Sequence, residues 1–302
     1  MPRTPAGRTA LAATGLCGLL AAGCASAPAP PDSPSALRAR LPQSIRASGE
    51  LRIGSYLNYV PVDFKDPGGT PIGLDPDLAA ALGSYLGLRV KILDMPFNDL
   101  IPAVQSGKID LAMSAVIDSR DRQQGKDATG HFTNPGVDFV DYFLTGTSIL
   151  VKAGNPLGLT TLDSLCGHTI AVQTNSVQIK VAKTQSAACT RAGKPLRIDS
   201  TDTDEQAAAE VSSGTAAADL NDYPAASYNT TAPARRGMFQ LVGKYQESSL
   251  YGIVVGRDRQ NLSDVLSRTI RELISNGTYQ KILDKWNVGN GAVVSATVNA
   301  GL

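Results

Sequence analysis

The segment from Leu51 to Arg122 constrains this 302-residue chain more than any other. It reads LRIGSYLNYVPVDF, then GLDPDLAAALGSYLGLRVKIL, then PFNDLIPAVQSGKIDLAMSAVIDSRDR. Apolar residues alternate from Leu51 to Ser55, as in a half-buried strand, and an aromatic turn follows. Leu74, Leu78, Ala81, Leu82, Tyr85 and Leu86 share one face of a helix that Gly87 closes as C-cap. Arg89 to Leu93 reads as a second strand, Asn98 to Ser106 as a short helix stopped by Gly107, and Ile109 to Met113 as a third strand. Strand, helix, strand, helix, strand in that order builds a parallel sheet with right-handed crossovers. The ligand-facing loops of such a sheet lie at its strand ends. One of them ends in Arg122, an always-charged guanidinium suited to a small carboxylate.

A second set of elements follows. Thr147 to Lys152, Thr169 to Gln173, Leu196 to Asp199 and Ala217 to Leu220 read as strands. TNSVQ opens a helix at Ser176, and Thr203 to Gln206 reads T-x-x-Q, a capping box for a helix ending at Gly214. NDYPAASY starts another helix. Leu250 to Val255 is a strand, and Val265, Leu266, Thr269, Ile270, Leu273 and Ile274 make an amphipathic stripe. Asn276-Gly277 breaks it before a last short helix, TYQKILDKW, and residues 289–302 read as a loose tail. No short tandem repeat is present.

Lys and Arg total 28 against 27 Asp and Glu, so no basic field exists to attract nucleic acid. The N-terminus is the exception to an otherwise globular composition. Arg3 and Arg8 precede an apolar run from Thr9 to Leu20, too short to span a bilayer, and LAAGC ends at Cys24. Residues 1–23 therefore read as a secretory signal. The Cys after small residues resembles the bacterial lipoprotein cleavage box, with Ala21 where Leu is usual, and Cys24 is the expected lipidation site. Such an anchor carries enough acyl chain for stable attachment to the outer face of the cell membrane. Residues 24–45 are Pro/Ala/Ser-rich and read as a tether. Cys17 leaves with the signal, so Cys166 and Cys189 remain as an even pair in an oxidising compartment. A disulfide is expected there over two free thiols. His131 and His168 lack metal-ligand spacing, and no metal or other cofactor is expected.

On these blocks the chain resembles the bacterial extracellular solute-binding proteins of family 3, the polar amino acid receptors of ABC importers. GLDPDLAAALGSYL resembles the family signature, with Pro76 at a usually aliphatic place. LIPAVQSGKIDLAMSA, VDFVDYF, LCGHTIAVQTNS and NGTYQKILDKW resemble further family blocks. The resemblance implies an α/β, two-lobed periplasmic-binding-protein-like fold with two hinge strands. Lobe 1 would comprise residues 46–142 and 251–288, and lobe 2 residues 143–250.

It also implies a site. Arg122 matches the arginine that grips an α-carboxylate, through two parallel charge-assisted donors. Asp222 matches the acid that meets the α-ammonium, its competing role being a helix N-cap, and Asp219 is the alternative. Ser176, beside Asn175 at a helix start, offers an anion contact, although Val177 stands where a second hydroxyl is usual. Tyr59 and Phe97 match an aromatic floor and wall, Tyr56 adds a ring, and Ser114 and Ser119 are polar contacts. Tyr56 stands where some cation-binding members carry an acid, which weighs against a lysine or arginine ligand. The implied partners are a small zwitterion and a membrane ABC permease, for a monomer. The alternatives on the same fold are a receptor subunit for a membrane kinase and a secreted enzyme; no catalytic constellation supports the latter.

Overall fold

The computed structural model describes residues 1–2, 32–127 and 129–301. Residues 3–23 of the expected signal segment, and Cys24, lie outside the described residues. Two short helices come first, α1 (Pro34–Arg40) and α2 (Gln43–Ser48). The first parallel set is β1 (Glu50–Ser55), a small hairpin sheet of β2 (Asn58–Tyr59), β3 (Asp63–Lys65) and β4 (Pro71–Ile72), then α3 (Leu74–Leu86), β5 (Arg89–Asp94), α4 (Leu100–Gln105), β6 (Leu111–Ala112) and α5 (Arg120–Gln124). The long strand β7 (Val137–Lys152) leads into β8 (Thr169–Gln173), α6 (Gln178–Arg191), β9 (Arg197–Thr201), α7 (Asp204–Ser213), β10 (Ala218–Asp222) and α8 (Tyr223–Thr231). A second long strand, β11 (Phe239–Gly256), returns to α9 (Gln260–Ser275), α10 (Thr278–Lys285) and β12 (Thr297–Val298).

The sheet runs β5-β1-β6-β11-β7-β10-β8-β9, with β12 on β7. β1 is parallel to β5 and β6, and β8 is parallel to β9 and β10. Between these parallel halves, β7 and β11 pair antiparallel along nearly their whole lengths. VDYFLTG lies within β7 and SSLYGI within β11. Each half has its own core. Leu74, Leu78, Leu82 and Leu86 of α3 pack with Leu51, Ile53, Val265, Leu266 and Ile270. In the other half Ile149, Val151, Ile170, Val172, Ile179 and Ala182 pack together with Cys189. Gly87 closes α3 at φ 64°, a left-handed cap that a Cβ would strain.

Two stretches differ from their compositional reading. Residues 34–45, expected within a tether, are helical and packed. Leu37, Leu41 and Ile45 recur every four residues and are 0%, 2% and 1% exposed, against the same core as α3 and α9. Pro34 at the first turn and Ser33 as N-cap start the helix instead of breaking it. The tail is not loose either. β7 pairs β10 only from Thr147 onward, so its earlier part has an uncovered edge. β12 fills that edge, with Thr297 opposite Asp141 and Val298 opposite Val140.

Cys166, before β8, bonds to Cys189 in α6 as expected, with Cα atoms 5.1 Å apart. No described helix is long and apolar enough to cross a membrane.

Candidate functional site

The carboxyl ends of β1, β6, β8 and β10 face one another across a narrow cleft with about 450 Å³ of non-atom space, open solvent included. Seven of the nine expected ligand contacts line it: Tyr56, Tyr59, Phe97, Ser114, Arg122, Ser176 and Asp222. Ser119 and Asn175 do not. They border an adjoining outer cleft and act on Arg122 itself.

Arg122 is carried by α5. The Ser119 hydroxyl caps this helix by accepting from the Arg122 backbone N–H at 3.4 Å. One terminal guanidinium nitrogen donates to the Ile117 carbonyl at 2.8 Å. The other reaches across the cleft to the Asn175 carbonyl at 2.9 Å. The guanidinium also lies 5.6 Å from the centre of the Phe97 ring. Desolvation lowers its pKa to about 10, against the opposing pull of Asp222 and Asp118, so it stays charged at neutral pH.

Asp222 ends β10 at the N-cap position of α8 but makes no side-chain cap bond. Its carboxyl is turned to the cleft instead. It accepts from Tyr59 Oη at 3.2 Å and Gln178 Nε2 at 2.8 Å, and Tyr59 Oη also donates to Asn221 at 2.8 Å. Burial raises the Asp222 pKa to about 7, although these hydrogen bonds favour the carboxylate. Among the described residues neither Arg122 nor Asp222 belongs to a salt bridge. Asp219, the alternative acid, is 1% exposed behind the cavity wall and accepts weakly from Asn221 Nδ2 at 3.4 Å.

Ser176 precedes the helix it was expected to open, since α6 starts at Gln178 with Val177 as its cap residue. Its hydroxyl is buried and has no hydrogen-bond partner among the described residues. The Ser114 hydroxyl, by contrast, is committed. It donates to the buried Asp63 carboxyl and accepts from the Tyr56 N–H at 3.0 Å. Ser114 therefore shapes the cavity floor with its hydroxyl already satisfied.

Asp204 was missed as a lining residue, as were Gln173, Gln178 and Asn221. The sequence drew attention to the capping box around Asp204, and the box forms, with Thr203 and Gln206 bonded reciprocally. That box sets Asp204 at the first turn of α7, in the cavity wall. Burial raises its pKa to about 6, partly opposed by Arg235 and by the hydrogen bond from Asn221. Its charge is felt at Tyr56 on the facing wall. The available signal was positional: an acid opening a helix just after a strand of the parallel set.

Aromatic faces, one cation and two carboxyl groups thus meet in one cleft. Further cross-cleft bonds join Asn175 to Asn98 at 3.0 Å and Lys180 to Asp121 at 3.0 Å. Among the described residues no group of His, Cys, Asp or Glu could hold a metal.

The model of the bacterial extracellular solute-binding proteins, family 3, matches residues 51–289. The arginine-binding protein ArgT of Corynebacterium glutamicum is 26% identical over 271 residues, covering 89% of this chain and 84% of that protein. A solved ancestral arginine-binding protein bound to glutamine is 30% identical, with a TM-score of 0.68, over 80% of this chain and 98% of its own. An ancestral amino acid-binding protein, described as a precursor of cyclohexadienyl dehydratase, is 28% identical with a TM-score of 0.68, over 80% of this chain and 97% of its own.

Proposed function

We propose, from the fact that the chain belongs to the bacterial extracellular solute-binding proteins of family 3, that its cleft captures an α-amino acid with a cationic side chain by closing on it. The observation that carries this reading is the pairing of opposites without contact. A half-buried guanidinium and a buried carboxyl group face one cavity, and among the described residues neither has an ion-pair partner. A zwitterion supplies both missing charges. Its carboxylate replaces the Asn175 carbonyl on Arg122 and accepts from the partnerless Ser176 hydroxyl. Its ammonium meets Asp222. Its side chain then runs past the aromatic rings towards Asp204, whose acid answers the one that Tyr56 lacks. Arginine-binding relatives support this choice.

Arg122 stands on one side of the cleft and Ser176, Asp204 and Asp222 on the other, so a ligand touches all of them only when the cleft is shut. Differential contact favours the closed form, and a swing from 1:99 to 99:1 requires about 5.5 kcal/mol. Two buried charge pairs supply energy of that order. The closed form delivers its ligand to an ABC permease, from a position held at the membrane by lipid on Cys24. Ligand recovered unchanged after incubation separates this reading from an enzyme on the same fold.

Calorimetric titration of the purified protein with L-arginine and L-glutamine tests the ligand class. The wild type is expected to prefer arginine by about tenfold or more. Asp204→Asn should lose that preference by weakening arginine while leaving glutamine unchanged. Equal loss of both, or no binding of arginine by the wild type, contradicts the assignment of Asp204.

A further inference from the structure

We propose that residues 296–301 form a strap that positions Arg122, acting through Asp118. The proposal rests on the reading of Arg122 as the carboxylate donor. β12 is only its first part. Asn299 continues the pairing, its N–H donating to the Phe139 carbonyl at 3.1 Å and its side-chain oxygen accepting from the Phe139 N–H at 2.8 Å. Asp141 then gathers the chain. One of its oxygens accepts from the Thr297 hydroxyl at 2.8 Å and from the Ala300 N–H at 3.2 Å.

The strap ends on Asp118. Gly301 N donates to one Asp118 oxygen at 2.7 Å, and the other oxygen accepts from Gln123 Nε2 at 2.7 Å. The approach is so close that a Cβ on Gly301 would fall 2.2 Å from the Asp118 carbonyl oxygen, so only glycine fits without displacement. Asp118 is 2% exposed and lies outside the ligand cavity. Its chain neighbours are two of the residues that hold Arg122: the Ile117 carbonyl takes one guanidinium nitrogen, and the Ser119 hydroxyl takes the backbone N–H. The strap therefore fixes the middle of a three-residue turn whose two ends fix the arginine. A charge-assisted contact depends on donor placement to within about 0.5 Å, so a slackened turn weakens the carboxylate contact although no ligand-touching group has changed.

The test uses the full chain with Gly301→Ala, Asp118→Ala and Asp118→Asn, read in two ways. Hydrogen exchange without ligand is followed at the amides of Arg122 and Gln123, and L-arginine is titrated into each variant. Gly301→Ala and Asp118→Ala should speed exchange at both amides by about tenfold, leave α7 and β10 unchanged, and weaken arginine by about tenfold. Asp118→Asn keeps an acceptor for Gly301 and a partner for the Gln123 amide, so it should stay near the wild type on both readings. Unchanged exchange in Gly301→Ala overturns the strap. So does an Asp118→Asn variant as impaired as Asp118→Ala, which would make the Asp118 charge itself the cause. If the wild type bound no arginine, the carboxylate reading would fall while exchange still judged the strap.

Discussion

Arg122 shows how a residue can be legible while its surroundings are not. The guanidinium was readable because S-R-D-R ends a βα unit, where a parallel sheet gathers its ligand contacts. Its partners were not, because each comes from the conformation of a loop. Ser119 and Asn175 are near the site as expected, yet one caps α5 and the other offers its backbone carbonyl to Arg122. Asp204 was hidden by its own helix-start pattern, which explained the residue locally and left its side chain unasked about. Replacing Arg122 by Ala should weaken L-arginine by about 100-fold, the loss of two charge-assisted hydrogen bonds. The same change should leave the ligand-free melting temperature nearly unchanged, because the two hydrogen bonds lost are offset by removing a partly desolvated cation that has no ion-pair partner among the described residues. Calorimetry and a thermal melt of the variant check both halves of this prediction.

At the scale of elements, periodic apolar faces were read well and short packed segments were not. α3 spans the expected residues because its four leucines repeat and Gly87 ends it. α1 and α2 escaped because prolines and alanines masked three buried positions, Leu37, Leu41 and Ile45. β12 escaped because two residues carry no period, and what orders them is an edge of β7 that only the assembled sheet reveals. The disulfide needed only a count of cysteines and a compartment. It ties the start of β8 to α6 across 23 positions, at the end of those elements away from the cavity. Replacing both cysteines by Ala should therefore lower stability by about 3 kcal/mol on the chain-entropy view. Affinity for L-arginine should stay within about threefold, a change worth under 1 kcal/mol. Denaturant unfolding and titration of the double variant measure the two separately.

On the scale of the whole molecule, folding buries several acids, of which Asp222 and Asp204 line the cleft. Burial raises Asp222, Asp75 and Asp141 to about 7 and Asp204 to about 6. For a carboxyl group raised by folding, the stabilising contribution is complete below its ordinary range near pH 4 and is lost as pH rises through the folded value. The ligand-free protein should therefore melt at lower temperature as pH rises from about 5 to 8. Asp94 and Asp110 are shifted downward by their basic partners, so their effects fall on the acid side of this window. A cationic ligand holds Asp222 and Asp204 ionised, so its thermal shift should grow across the same interval. Melting curves with and without L-arginine at each pH give both trends.

In the proposed complex one zwitterion satisfies Arg122 and Asp222 together. Its most direct test is titration of the wild-type protein at neutral pH with L-arginine, with agmatine, which lacks the carboxylate, and with δ-guanidinovaleric acid, which lacks the ammonium. Each analogue should bind about 100-fold more weakly than L-arginine or worse. An analogue binding within about threefold of L-arginine would show that the group it lacks is not held by the cleft, and would overturn the assignment of its partner, Arg122 or Asp222.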